Sequence, residues 1–433
     1  MLSLLLMVTM LPLTTSAQSS SGNSNSTSSP YSHYGFGTLS GNSFGRGEAM
    51  GGIGIGIRNG FQINTTNPAS YTAIDSMTFL MEFGINSRHT TYSTETSKNG
   101  SNNANFNHIT FAVPVNRWWA TSLGLLPFSS KGYGISMTNG NSTDTEVDMT
   151  TTTSTFEGNG SFSKVYWGNA FLLGKNLSIG FNTWFLFGKV SDATYVYYPY
   201  DSNAYDYLKD NNLNIHDVGI TAGIQYQIET KKNHKLVLGA TFEPKNKISS
   251  NYVIHEERVL FRGSSTQSPV IDTLQHVESD QKGLRLPVSY GGGFSYSIKN
   301  KITFGADYFH QKWNQALFLG EVQQYMTNSN RYSAGMEVIP DPLSIRSYWE
   351  RVQYRLGGFY ENSYLTLNNE QINGYGLTLG LSLPIARSRS TLNISAELGQ
   401  LGTTRNDLIR ERYAKFTMYV LIHDRWFIKR KFD

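Results

Sequence analysis

The stretch 375-YGLTLGLSL-383 sets a leucine or tyrosine against a glycine, threonine or serine at every step. A period of two belongs to a β-strand, whose successive side chains point to opposite faces; a helix would repeat near 3.6. The same rhythm recurs elsewhere. Leu177, Ile179, Phe181, Phe185 and Phe187 share a face opposite Ser178, Gly180, Asn182 and Trp184. Leu392, Ile394, Ala396 and Leu398 alternate with Asn393, Ser395 and Glu397, and Phe416, Met418, Val420 and Ile422 lie together. These are strands with one apolar side.

Extended along the chain, the pattern predicts fourteen strands, at about 76–92, 104–116, 118–137, 156–173, 177–198, 213–229, 235–250, 284–298, 302–315, 330–340, 349–360, 373–385, 391–399 and 414–427. A soluble sandwich would show the same alternation with its apolar face turned inward. The connections discriminate. Those after odd-numbered strands read as long and polar (138–154, 199–212, 251–283), and those after even-numbered strands as mostly tight (116–117, 174–176, 229–234, 299–301, 386–390). The looser one, 341–348, contains Pro342. Short turns on one rim and long loops on the other mark a transmembrane β-barrel. Trp118, Trp119, Tyr195, Tyr197, Tyr198, Tyr200, Trp313, Trp349, Trp426 and Phe427 fall near strand ends, where interfacial aromatic girdles sit. Basic residues gather in the short turns and at the tail (Lys231, Lys232, Lys299, Lys301, Arg387, Arg389, Lys429, Arg430, Lys431), as on a solvated rim.

Composition agrees. Charged residues are 16% of the chain, against about 25% in an ordinary soluble protein, while 26 tyrosines and 41 glycines are abundant. A mean hydropathy of −0.35 excludes a helical membrane protein. Residues 1–17 read as a signal peptide, with an apolar core at 2–13 and Thr15-Ser16-Ala17 as a small-residue cleavage site. No Lys or Arg precedes that core, which leaves the true start codon open. The absence of cysteine excludes a lipoprotein anchor, disulfides and thiolate metal sites. A Ser/Asn-rich linker follows at 18–33, then a segment 34–75 ahead of the barrel, 76–433.

That segment reads 45-GRGEAMGGIGIGIRNGFQINTTNPASYTAIDSMTFLMEF-83 as it runs into the first strand. Glycine-rich and nearly uncharged at its start, it passes through Asn67-Pro68-Ala69. Pro68 lacks an N–H and biases Asn67 away from helix, so a compact, bent path is expected. A glycine-rich N-terminal segment ending in Asn-Pro-Ala before a fourteen-stranded pattern resembles the FadL family of outer-membrane channels for hydrophobic compounds, and the C-terminal 426-WFIKRK-431 resembles a divergent branch of it. The resemblance implies that 34–75 folds inside the barrel as a hatch carrying Asn67, Pro68 and Ala69. It also implies a kink in the third strand that opens the wall sideways, at Pro127-Phe128. Here Ser129 replaces the family's glycine, with Gly132 and Gly134 nearby.

No catalytic set emerges. The nine histidines lack His-x-x-x-His spacing, and the glycine run at 51–56 lacks the Lys of a phosphate loop. A net charge of +4, dispersed along the chain, argues against nucleic acid. The expectation is a non-enzyme without cofactor or metal, in the outer membrane of a Gram-negative bacterium. The resemblance implies passive transport of a lipophilic, fatty-acid-like compound (or a detergent) held in the lumen. The alternative is a structural barrel binding partners in an envelope secretion or assembly complex, docking through 251–283 and 405–412.

Overall fold

The computed structural model describes residues 26–41, 43–140, 150–201, 203–230, 233–260, 269–386 and 388–425. The signal peptide, most of the linker, Lys231, Lys232, Arg387 and the tail from Trp426 lie outside them. Seventeen strands are numbered in chain order: β1 (Thr38–Leu39), β2 (Thr78–Ser93), β3 (Lys98–Pro114), β4 (Trp119–Asn139), β5 (Thr152–Leu173), β6 (Leu177–Tyr197), β7 (Asp206–Thr230), β8 (His234–Glu243), β9 (Asn246–Val259), β10 (Val270–Leu286), β11 (Ser289–Ile298), β12 (Ile302–Gln311), β13 (Ser329–Val338), β14 (Gln353–Leu367), β15 (Glu370–Pro384), β16 (Thr391–Leu401) and β17 (Arg410–Arg425).

Fourteen of these close a barrel, β2–β8 and β11–β17, every neighbour antiparallel. Closure runs from Arg410↔Ser93 to Arg425↔Thr78, between the last strand and the first. β8 pairs directly with β11, from Glu243↔Ser289 to His234↔Ile298. β9 and β10 therefore stand beyond the ring, as a hairpin that continues β8 and β11 past the loop-side rim. There β9 pairs with the upper part of β7, from Asp206↔Val259 to Ile215↔Ser250.

Two expectations change here. Most of 251–283 is not loop: it forms the arms of the β9–β10 hairpin, paired through His255↔His276 and Tyr252↔Ser279. The loop-side connections after the first and eleventh barrel strands are also tight, at 94–97 and 368–369, because β2, β3, β14 and β15 run on past their apolar stretches.

The faces are inverted relative to a water-soluble protein. Leu377 is 67% exposed and Leu379 56%, whereas Thr378 between them is 1% exposed. On β6, Ile179, Phe185 and Phe187 face out while Ser178, Asn182 and Trp184 are buried. A closed antiparallel barrel whose apolar rows point outward suits a hydrocarbon surround, since the inter-strand ladders satisfy most main-chain groups within the ring. The molecule is an outer-membrane-type β-barrel. Among the described residues no helix is long and apolar enough to cross a membrane. Trp118 and Trp349 are exposed at the turn-side rim, as girdle residues would be. Trp313 is not one of them; it is 1% exposed, packed inside near Phe36 and Tyr364.

The inversion is testable. Arginine at Leu377, midway along β15, is expected to destabilise the barrel by about 2–4 kcal/mol on refolding into lipid vesicles. A silent Leu377→Arg would mean that this face meets water.

Candidate functional site

Between Ser43 and Asp75 the chain runs along the buried faces of the barrel strands. Asn67 anchors it. Its extended backbone (φ −126°, ψ 106°) satisfies the constraint of the following proline, and Pro68 opens a 3₁₀ turn, Pro68–Ala73. The Asn67 side chain is fully buried and spends its amide in both directions. Oδ1 accepts from Ala69 N at 3.1 Å, while Nδ2 donates to Ile55 O at 2.8 Å and to Ile224 O on β7 at 3.1 Å. The Asn-Pro-Ala tripeptide thus ties the segment to itself and to the wall.

The wall meets this segment with glycine. A Cβ on Gly180, Gly223, Gly239, Gly335, Gly357 or Gly380 would fall within 3.0 Å of Pro68, Asn67, Ile55, Met50, Gly51 or Ala49. Strand register sets glycines in a band stepped by two residues: Gly180↔Gly223, Gly239↔Gly293, Gly305↔Gly335 and Gly335↔Gly357 are direct cross-strand pairs, while Gly223, Gly293 and Gly357 face Thr241, Asp307 and Thr378. The band forms a seat of bare backbone from β6 round to β15. Polar wall groups complete it. Asp307 accepts from Gly54 N at 2.6 Å and Ile55 N at 2.7 Å, Gln225 donates to Ile55 O and Ile57 O, and Gly51 N donates to Thr378 Oγ1.

Buried ions hold the other side. Glu337 accepts from Arg46 of the segment at 2.6 Å and from Arg355 of β14 at 2.7 Å. Glu48 pairs with Lys415 of β17 at 2.5 Å and accepts from Asn107 and Thr417. Burial alone would push the Glu48 carboxyl up, but Lys415 and the Asn107 hydrogen bond hold it below the ordinary carboxylate range.

A cavity of about 400 Å³ lies between the segment and the wall. Leu126, Phe128, Trp184, Phe309 and Trp313 supply its apolar lining. Its charges are matched among themselves: Lys164 lies 3.7 Å from Glu243 and over the Phe128 and Trp184 rings, and Arg331 pairs with Glu361 at 2.5 Å.

Of the residues singled out in the third barrel strand, Pro127 and Phe128 line this cavity. The β4–β5 register shifts between Pro127 and Ser129, where proline withholds a ladder donor. Ser129 is buried, Gly132 pairs with Asn159, and Gly134 faces open space. On its other side β4 pairs with β3 only from Pro114↔Ala120 to Ile109↔Leu125. The sequence reading missed the glycine seat and the ionic contacts. Glycines on the small-residue face of single strands were visible, but only the register brings them together. Among the described residues no three His, Asp or Glu side chains gather as metal ligands.

The fold matches solved channels. The toluene transporter TbuX of Ralstonia pickettii is similar with a TM-score of 0.58 at 15% identity, over 88% of this chain and 98% of that one. A FadL homologue from Pseudomonas aeruginosa matches with a TM-score of 0.56 at 12% identity, over 91% and 100%. The Pseudomonas putida toluene transporter TodX matches with 0.52 at 13%, over 90% and 98%. The fourteen-stranded barrel expected from the FadL resemblance is therefore the one observed. No curated protein matches the sequence. A family model described as BamG matches residues 1–433, the whole length, and the chain belongs to the BamG family.

Proposed function

We propose that this chain is a passive outer-membrane channel for lipophilic small molecules, with residues 34–75 as its hatch and Asn67, Pro68 and Ala69 as the hatch's fastening. TbuX and TodX are toluene transporters, and what they carry sets the ligand class: small and largely apolar. The cavity beside Phe128, Trp184 and Trp313 carries the reading. Its volume falls in the usual range of small-molecule sites, about 300–1,000 Å³, and removing such a ligand from water gains roughly 25 cal/mol per Å² of apolar surface. The hatch sits on backbone and buried ion pairs, so it blocks a straight aqueous path. Transport chemistry of this kind needs no catalytic residue.

A second reading has its own observation. The β7–β9–β10 sheet stands beyond the barrel with Val270, Ile271 and Leu274 exposed, as a surface for an envelope partner would be. One experiment separates the two. Native extraction from the outer membrane in mild detergent, followed by mass spectrometry, is expected to give the barrel alone with a defined lipophile. A stoichiometric complex with other envelope proteins and no lipophile would overturn the channel reading.

A further inference from the structure

One connection on the turn-side rim is long. Residues 339–352 join β13 to β14 there, where the neighbouring turn from β11 to β12 needs only 299–301. Its middle reads 341-DPLSIRSYWE-350. The length is not slack, because the backbone ties itself down. Asp341 N donates to Glu350 O at 2.8 Å and closes the base, and Ser344 N donates to Asp341 O at 3.2 Å. Ile339 N donates to Lys301 O of the neighbouring turn at 2.7 Å. An ordered turn in water would hide its apolar side chains, and this one does the reverse. Ile345 is 97% exposed and Leu343 85%. Among the described residues no other large apolar side chain is as exposed, lipid-facing Leu377 at 67% included.

We propose that this turn is a membrane foot, with Leu343 and Ile345 seated in the phospholipid leaflet on the turn side of the outer membrane. Lipid already covers the surface beside it. β14 and β15 point Tyr354, Leu356, Leu377 and Leu379 outward. Tyr354 Oη donates to Trp349 O at 3.2 Å, and Tyr348 Oη donates to Pro384 O at 3.1 Å, so the turn is fastened to the end of that lipid-facing wall. This is the level of the interfacial aromatic girdle. Charge fits the same partner. The turn and its neighbour carry Lys299, Lys301, Arg346 and Arg351 against Asp341 and Glu350, a cationic excess that anionic headgroups attract. Lys301 lies 3.6 Å from Asp341, while Arg346 stands exposed next to Ile345. The wall is also short here. β11, β12 and β13 have 10 residues each, against 21 in β6 and 25 in β7. A tilted strand needs about 9–11 residues to cross the hydrocarbon layer, so these three have none to spare. A foot at this point fixes the depth of the short side in the bilayer, whatever the cavity carries.

The chain has no cysteine, so a single introduced thiol reports without background. Ile345→Cys is compared with Leu377→Cys on the lipid face and Lys175→Cys on the tight β5–β6 turn, both exposed. Each full barrel is labelled with bimane and placed in vesicles of phosphatidylcholine and phosphatidylglycerol. Quenching by spin-labelled phospholipid is then set against quenching by aqueous iodide. Bimane at Ile345→Cys is expected to match Leu377→Cys, with lipid quenching several-fold stronger than at Lys175→Cys and iodide quenching several-fold weaker. Ile345 has almost no surface buried in the protein, so the substitution leaves the fold intact. Iodide quenching as strong as at Lys175→Cys, or protection from both quenchers, overturns the foot. A second arm tests the native membrane. Photo-reactive benzoylphenylalanine in place of Leu343, irradiated in whole cells, should give phospholipid adducts. A protein adduct of discrete mass would overturn the lipid assignment and make the turn a docking site for a periplasmic partner.

Discussion

Valine at both Gly335 and Gly357 is expected to unseat the hatch and to turn a quiet barrel into a conducting one. These glycines are paired directly across β13 and β14, and a side chain on either would meet Met50 or Gly51 backbone within 3.0 Å. Flexible side chains can yield, but backbone held against this same wall by Thr378 and Asp307 has little room to move. Overpacking of this kind costs about 1–3 kcal/mol per site even where neighbours can shift. Single-channel recording in planar bilayers should show openings in the double variant that the native barrel lacks. Gly292→Ala, where nothing lies within 4 Å, is the control and should be silent. A double variant as quiet as the native protein would mean that the hatch is held elsewhere.

Loss of the Glu337 carboxylate should be the most damaging single change in stability. It is shared by Arg46 of the hatch and Arg355 of the wall, all three nearly inaccessible to water. Glu337→Ala leaves two guanidinium groups facing each other without their counter-ion, and breaking a buried ion network this way costs about 3–5 kcal/mol. Urea unfolding in lipid vesicles measures it. Adding Arg46→Met to Glu337→Ala should recover part of the loss, because one of the two stranded cations is gone. If Arg46→Met makes matters worse by its full single-variant cost, the two residues are not coupled and the trio is not a unit.

How much of this was visible beforehand follows from the physics of each element. The strands at 177–187 and 375–383 were legible because one face of each is uniformly apolar and the other uniformly small or polar. The β9–β10 hairpin was not. Its arms, Asn246–Val259 and Val270–Leu286, meet water rather than lipid, carry charge on both faces, and so lose the alternation that announces a strand. Trp313 was misplaced because a tryptophan at a strand end suits either a membrane interface or, as here, a packed interior near Phe36. Asn67-Pro68-Ala69 stood out locally, since a proline fixes its neighbour's conformation wherever it occurs. The partners of Asn67, more than 150 residues away on β7 and β8, depend on register and could not be read.

The glycine seat also bears on the order in which the barrel is built. Its glycines come from strands spread between β6 and β15, and the ions that fasten segment 43–75 sit on β13, β14 and β17, yet that segment precedes β2 in the chain. The fastenings of the segment are therefore complete only when the ring is: β13, β14 and β17 must all be in place before Arg46 and Glu48 have their partners. Its last fastening, Glu48 to Lys415, can form only as the final strand arrives. For this chain, assembly ends with the wall closing on its own beginning.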